Sequence, residues 1–206
     1  AETIARWLEN FDDSFPDALG PRPQDTHKGD YGKILIIGGS LGKTGAAAMA
    51  GQAALVSGAG LVTVGVPESV LGIVAGHAPE LMIEPLPETD TGTLSALNYG
   101  RIESLIEGKS LVALGPGIGR HPETDQLISE VVSRIAVPVV LDADGLNAFV
   151  GRVDELRGGD HPLVITPHPG EMARLLDRPI SDINRHRLDI AREFAKKQYL
   201  YVVLKG

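Results

Sequence analysis

The sequence predicts a doubly wound α/β fold, a mostly parallel sheet with helices on both faces. Six apolar runs of strand length recur without hydrophobic/polar alternation, as strands buried on both faces do. Segments of helical periodicity lie between most of them, and strand alternating with helix is the signature of parallel sheets. With 206 residues, 43% hydrophobic and 22% charged, the chain is long enough for one sizeable core and too short for two comfortable ones.

Taken in order, residues 1–26 read as a short amphipathic helix around Ile4 to Leu8, followed by the linker-like LGPRPQD. Folding proper begins near Tyr31. The expected strands are KILIIG (33–38), LVTVGV (61–66), SLVALG (110–115), VPVVLD (137–142), PLVITP (162–167) and YVVLKG (201–206). The expected helices are 43–58, 68–76, 100–107, 121–134, 169–177 and 181–197. The first of these is small and apolar on nearly every side from Ala46 to Gly58, which predicts burial close to the sheet.

Composition excludes several classes of function. A formal charge of −8 and 4% aromatic residues supply neither a basic stripe for nucleic-acid phosphates nor platforms for base stacking. No cysteine is present, so disulfides and thiolate metal sites are ruled out, and a cytoplasmic location is expected. Apolar stretches are broken by Gly or Pro well before the roughly 18 residues a membrane span needs, so no membrane partner is expected.

In a doubly wound sheet, ligands bind outside the carboxyl ends of the strands. The residues expected there are GGSLGKTGA (38–46), GPGIG (115–119), DADG (142–145), TPHPGE (166–171) and KG (205–206). GGSLGKTGA misses the Walker spacing by one residue and does not fit the dinucleotide G-x-G-x-x-G. It retains glycines that let backbone N–H groups approach an anion at a helix N-terminus; a tight turn needing glycine for geometry alone is the other reading. In GPGIG, Pro116 stiffens the turn, while Gly115 and Gly117 allow close backbone approach. Asp142 and Asp144 are candidates for a metal–phosphate group or for helix capping. His168, held between two prolines at a strand end, is a candidate donor to a ligand, and Glu171 suits the start of a helix. His27, Lys28 and Gly29 precede the sheet and read equally well as an exposed turn. Asp160 precedes a strand, which puts it on the opposite edge and disqualifies it as a catalytic base.

In sequence order, THKGDYGKILIIGGS, KTGAA, SGAGLVTVGVP, ALGPGIG, PVVLDADGLN, TPHPGEMARLL and VVLKG resemble the ADP- or ATP-dependent NAD(P)H-hydrate dehydratase family, whose fold is ribokinase-like. The resemblance implies that residues 27–206 are a dehydratase domain. It further implies repair of the S form of NADH or NADPH hydrate at the expense of ADP or ATP, with Mg2+. Ala46, Gly117 and His168 match the family's hydrate-binding positions, and Lys205 with Gly206 matches the opening of its nucleotide loop. PRPQD resembles the junction to an NAD(P)H-hydrate epimerase domain, so a linked or separate epimerase is an expected partner, and homo-oligomers are common in the family. The family's catalytic Asp stands in a Gly-Thr-Gly-Asp segment that is expected beyond Gly206, so no catalytic base is expected in this chain and the chain as given is expected to be inactive. Two other functions use similar glycine turns: a ribokinase-like kinase of a small alcohol or vitamin precursor, and a non-catalytic nucleotide-binding module.

Overall fold

A computed structural model describes residues 22–206; the helix expected around Ile4 to Leu8 and the start of the linker lie outside the described residues. Among those described, seven strands form one sheet in the order β3-β2-β1-β4-β5-β6-β7. They are β1 (Lys33–Ile37), β2 (Leu61–Pro67), β3 (Met82–Leu86), β4 (Leu111–Leu114), β5 (Val139–Leu141), β6 (Leu163–Ile165) and β7 (Tyr201–Val202). Every pairing is parallel, and Ile34 of β1 stands between Val62 of β2 and Leu111 of β4.

The lack of alternation along the strands now has its cause. Successive side chains point to opposite faces, and both faces are covered. From β1, Leu35 and Ile37 enter one apolar layer with Leu114, Leu141, Ile165 and Phe149, whereas Ile36 enters the other with Val62, Val64 and Val66. The second layer is closed by α1 (Thr44–Val56) and α2 (Leu71–Ala75), through Ala47, Ala48, Val70 and Val74. The first is closed by α3 (Tyr99–Ile106) and α4 (Pro122–Arg134). The four-residue α5 (Asp144–Asn147), α6 (Pro169–Leu176), α7 (Ile180–Arg185) and α8 (Arg187–Gln198) complete it.

Three local features differ from expectation. Strand β3 carries Glu84 and Pro85 among its five residues, which hides its strand character. It lies at the sheet's edge, where a proline that donates no hydrogen bond is tolerated and where Glu84 pairs with Arg101 at 2.8 Å. The helix expected over 181–197 is two helices, divided at His186, whose φ of −124° and ψ of 35° leave helical geometry. There Asp182 accepts from Arg178 on one side and lies 3.0 Å from His186 Nδ1 on the other. Helix α1 buries Ala47, Ala48 and Gly51 against the sheet but leaves Met49 and Val56 exposed. A helix apolar on all sides packs as expected on one of them, and the sequence carries no polar face to mark the other.

Phe149 sits in the first layer with no exposed surface. Phe149→Ala should destabilise the fold by about 3–5 kcal/mol, the usual range for an aromatic truncated in a packed core. Urea unfolding monitored by circular dichroism gives the value, and a loss below about 1 kcal/mol would mean that the layer collapses to fill the space.

Candidate active site

The strand order reverses between β1 and β4: the chain leaves β1 for α1 on one face and leaves β4 for α4 on the other. Such a switch point opens a crevice at the strands' carboxyl ends. The loops that follow these two strands meet there backbone to backbone. Gly39 N donates to the Pro116 carbonyl at 2.8 Å, and the buried Ser40 hydroxyl donates to the Gly117 carbonyl at 2.8 Å. A Cβ on Gly38 would fall 2.4 Å from the Pro116 oxygen, and one on Gly115 would fall 2.1 Å from the Asp142 oxygen. Neither position admits a side chain.

Gly117 is buried at a φ of 65°, and a Cβ there would stand 2.9 Å from the Cβ of Ala46 in the first turn of α1. Ala46 and Gly117, two of the expected hydrate-binding residues, are therefore brought together across the switch point. His168 is the N-cap of α6. Its Nδ1 accepts from Gly170 N at 3.0 Å, its own N–H donates to Glu171 Oε2 at 2.7 Å, and Pro169 begins the helix. In the neutral ring, an accepting Nδ1 leaves the proton on Nε2. The side chain is half exposed, and its Nε2 stands 3.3 Å from Glu171 Oε1.

Lys205 joins the same edge. Its N–H donates to the Pro167 carbonyl at 2.9 Å, which ties β7's extension to the loop carrying His168. Its ammonium lies 2.7 Å from Asp142 Oδ1, which also accepts from the Thr166 hydroxyl at 2.6 Å. Arg187 on α8 donates to the carbonyls of Lys205 at 2.7 Å and Gly206 at 2.6 Å. Burial is the largest single influence on Asp142 and pushes its pKa up. The hydrogen bonds from Lys205 and Thr166, the lysine's charge and the Ala143 N–H together outweigh it, and the carboxyl titrates below its ordinary value.

Asp142 and Asp144 are one residue apart but face different partners. Ala143 between them adopts a φ of 52° and a ψ of −126°, a conformation L residues rarely take and one that concentrates at functional sites. Asp144 Oδ2 lies 2.6 Å from Lys43 Nζ and accepts from Gly119 N at 3.3 Å, while its Oδ1 accepts from Asn147 Nδ2 at 3.3 Å. Arg174 Nε donates to Asn147 Oδ1 at 3.2 Å. Each carboxylate is paired with a lysine, and among the described residues no three His, Asp or Glu side chains converge on one point. The set does not fit a cation held by the protein alone.

Lys43, Thr166, Asn147, Arg174 and Arg187 were not singled out in the sequence. Lys43 had a signal in the GKT string; the others owe their place to partners far along the chain. His27 through Tyr31 form a turn against the start of β2, where Gly60 N donates to the Tyr31 carbonyl, so they belong to the amino edge. Asp160 is there too, lining a cavity of about 360 Å3 with Arg157 and His161.

An all-parallel sheet with glycine turns at its switch point and lysine–aspartate pairs along its carboxyl edge defines a doubly wound α/β protein with a ligand crevice at the strand ends. A ribokinase-like superfamily protein from Enterococcus faecalis V583 matches with a TM-score of 0.74 and 25% identity, covering 92% of this chain and 64% of that one. The family described as NAD(P)H-hydrate dehydratase matches residues 34–206, and the chain belongs to that family. It is 45% identical over 188 residues to a bifunctional NAD(P)H-hydrate repair enzyme of Moorella thermoacetica, covering 91% of this chain and 36% of that protein. It is 36% identical over 163 residues to an ADP-dependent (S)-NAD(P)H-hydrate dehydratase of Lactiplantibacillus plantarum, covering 78% of this chain and 54% of the relative. An ADP/ATP-dependent NAD(P)H-hydrate dehydratase from Bacillus subtilis, co-crystallised with ATP and Mg2+, matches with a TM-score of 0.70 and 28% identity over 90% of this chain and 62% of that one. The chain thus spans about a third of the length of the bifunctional relatives.

The Lys205–Asp142 pair gives a prediction with a definite sign. Lys205→Met should raise the titration midpoint of Asp142, read from its carboxyl carbon by NMR. A carboxylate whose pKa is depressed in the folded state stabilises the fold above its unfolded value of about 3.9 and loses that contribution as pH falls through the folded value. The stability difference between parent and variant should therefore be full near neutrality and shrink in acid. An unmoved midpoint would show that Lys205 does not set it.

Proposed function

We propose that this chain serves the dehydration of the S form of NADH or NADPH hydrate to NAD(P)H with ADP or ATP as phosphoryl donor. Within this reading residues 27–206 form the dehydratase domain and residues 1–26 an N-terminal helix and linker. The observation that carries the reading is the juxtaposition of Ala46 and Gly117 at the switch point, on the same sheet edge as His168 and Lys205. Family membership supports the choice of substrate.

Hydroxide is a poor leaving group, which is why a nucleotide is needed. The substrate hydroxyl gives its proton to a base as its oxygen attacks the terminal phosphorus, and the bond from that phosphorus to the nucleotide's bridging oxygen breaks. ADP leaves AMP, and ATP leaves ADP. The ring carbon–oxygen bond then breaks with its electron pair going to phosphate, the ring nitrogen's lone pair compensates, and loss of a proton from the adjacent carbon restores the dihydropyridine. Such chemistry asks the protein chiefly for positioning and for stabilisation of charge. Ala46 and Gly117 present close-packed backbone to the hydrate, His168 Nε2 donates to it, and Lys205 with Gly206 opens the nucleotide side. Asp142, held below the ordinary carboxylate range and paired with Lys205, is a poor general base. Magnesium belongs to the nucleotide phosphates in this reading, since such ions commonly keep most of their ligands from phosphate and water. We carry as part of the same proposal a cytoplasmic location, a homo-oligomeric state and an epimerase partner, the last suggested by the bifunctional names of the relatives. No described helix is long and apolar enough to cross a membrane.

Incubating the full-length protein with NAD(P)H hydrate, adenine nucleotide and Mg2+ should restore dihydronicotinamide absorbance and release phosphate in equal amount. A phosphorylated product that accumulates without phosphate release would mark a kinase instead. His168→Ala should weaken hydrate binding by about 1–3 kcal/mol if the bound hydrate covers the half-exposed ring and is left with an unsatisfied polar group. The same change should lower stability by about 0.5–2 kcal/mol through the lost helix cap. Unchanged hydrate affinity in a folded variant would remove His168 from the site.

A further inference from the structure

Asp144 takes donors from both sides of the switch point, which Ser40 also spans through its bond to the Gly117 carbonyl. Asp142 takes its side-chain donors from Thr166 and Lys205, on neighbouring strands β6 and β7. Asp144 instead receives Lys43 from the loop after β1 and Gly119 from the loop after β4, a sequence separation of 101 residues in the first case and 25 in the second. The backbone oxygen of Lys43 already lies under Gly117, 2.6 Å from where a Cβ would be. The lysine side chain then runs on to Asp144, and residues 117–119 are enclosed between main chain on one side and an ion pair on the other. Asn147 receives Arg174 from α6, so the network also reaches the helix that His168 caps.

We propose that Asp144 is the positioning residue of the hydrate site: its carboxylate holds the loops carrying Ala46 and Gly117 in register, and through Asn147 and Arg174 fixes them against the helix capped by His168. The inference rests on the proposed function for the identity of the ligand, but the loop register it describes is a property of the free protein. Its side chain is 21% exposed, so the ion pair with Lys43 is partly shielded from water, and both oxygens are occupied by protein donors. Asp144 therefore acts on the geometry of the loops. A contact with a nucleotide-bound cation would require it to release Lys43.

The test has two readouts in the full-length protein. Amide hydrogen exchange, followed by NMR or mass spectrometry without ligand, should speed up at residues 117–119 in Asp144→Ala and Lys43→Met, with the sheet unaffected. Steady-state kinetics should show KM for the hydrate raised about tenfold in Asp144→Asn, the size expected for losing a charge-assisted hydrogen bond. The KM for nucleotide and the Mg2+ concentration at half-maximal rate should stay as in the parent. The double variant Lys43→Met/Asp144→Asn should be no worse than either single one, because both remove the same strap. If Asp144→Ala does not fold, Lys43→Met carries the exchange test, since Lys43 is half exposed. Unchanged exchange at residues 117–119 together with an unchanged hydrate KM would overturn the proposal. So would a shifted Mg2+ requirement with hydrate KM intact, which would make Asp144 a metal contact. If the parent protein fails to turn over the hydrate while exchange at 117–119 responds, the proposed function falls and the strap does not.

Discussion

The structure at the strands' carboxyl ends depends on one steric constraint: main chain must touch main chain where β1 and β4 part. A Cβ on Gly38 would lie 2.4 Å from the Pro116 oxygen, so no side chain can stand between the two loops there, and one on Gly115 would lie 2.1 Å from the Asp142 oxygen, against the neighbouring turn. Their closeness lets Gly39 and Ser40 donate to the carbonyls of Pro116 and Gly117. The same closeness brings Ala46 against Gly117 and leaves Lys43 within reach of Asp144. A methyl group at Gly38 would push the two loops apart and disturb these contacts together, whereas one at Gly115 would press on the turn from Asp142 to Gly145.

The parallel sheet was legible because its cause is local to each strand. A strand covered on both faces shows an unbroken apolar run, as β1, β2, β4, β5 and β6 do; β7 keeps an apolar run although it is the other edge and its Tyr201 is exposed. Strand β3 was not legible because its edge position relaxes the requirement, and Glu84 and Pro85 are permitted there. The break at His186 was hidden for a different reason: Arg187–Gln198 and Ile180–Arg185 each have helical periodicity, and their interruption arises from how Asp182 gathers two neighbours on successive turns. The glycine and proline strings pointed to the right edge, since turn chemistry is written in residue type. Which residues pair across that edge is not written there. Asp142 and Asp144 look interchangeable in DADG, yet the turn at Ala143 directs one toward Lys205 and the other toward Lys43.

Under the proposed function, these two pairs would let an acidic protein offer an anion site. The chain carries a net charge of −8, which opposes the approach of a dinucleotide at long range. Within the crevice, Lys43 and Lys205 are held at known positions by Asp144 and Asp142, each about half exposed. Their ordering cost is met in folding, before any ligand arrives, which lowers what binding must supply. The aspartates thus keep cations at the edge of the crevice without adding to the repulsion there, because each pair is close to neutral.

His168 shows how a structural duty can prepare a chemical one. A helix beginning at Pro169 leaves its first N–H groups without partners, and the imidazole Nδ1 takes that of Gly170. Because Nδ1 is then an acceptor, the neutral ring must carry its proton on Nε2. The buried carboxylate of Glu171 closes the cap from the other side and bounds the ring's freedom to turn, with one oxygen on the His168 N–H and the other near Nε2. Capping therefore selects the tautomer and the orientation that a ligand-binding donor needs. Ser, Thr, Asp and Asn are the commoner caps, and histidine differs from them in carrying its second polar atom on a rigid ring, farther from the helix end. Under the proposed function, both properties are used by this one side chain.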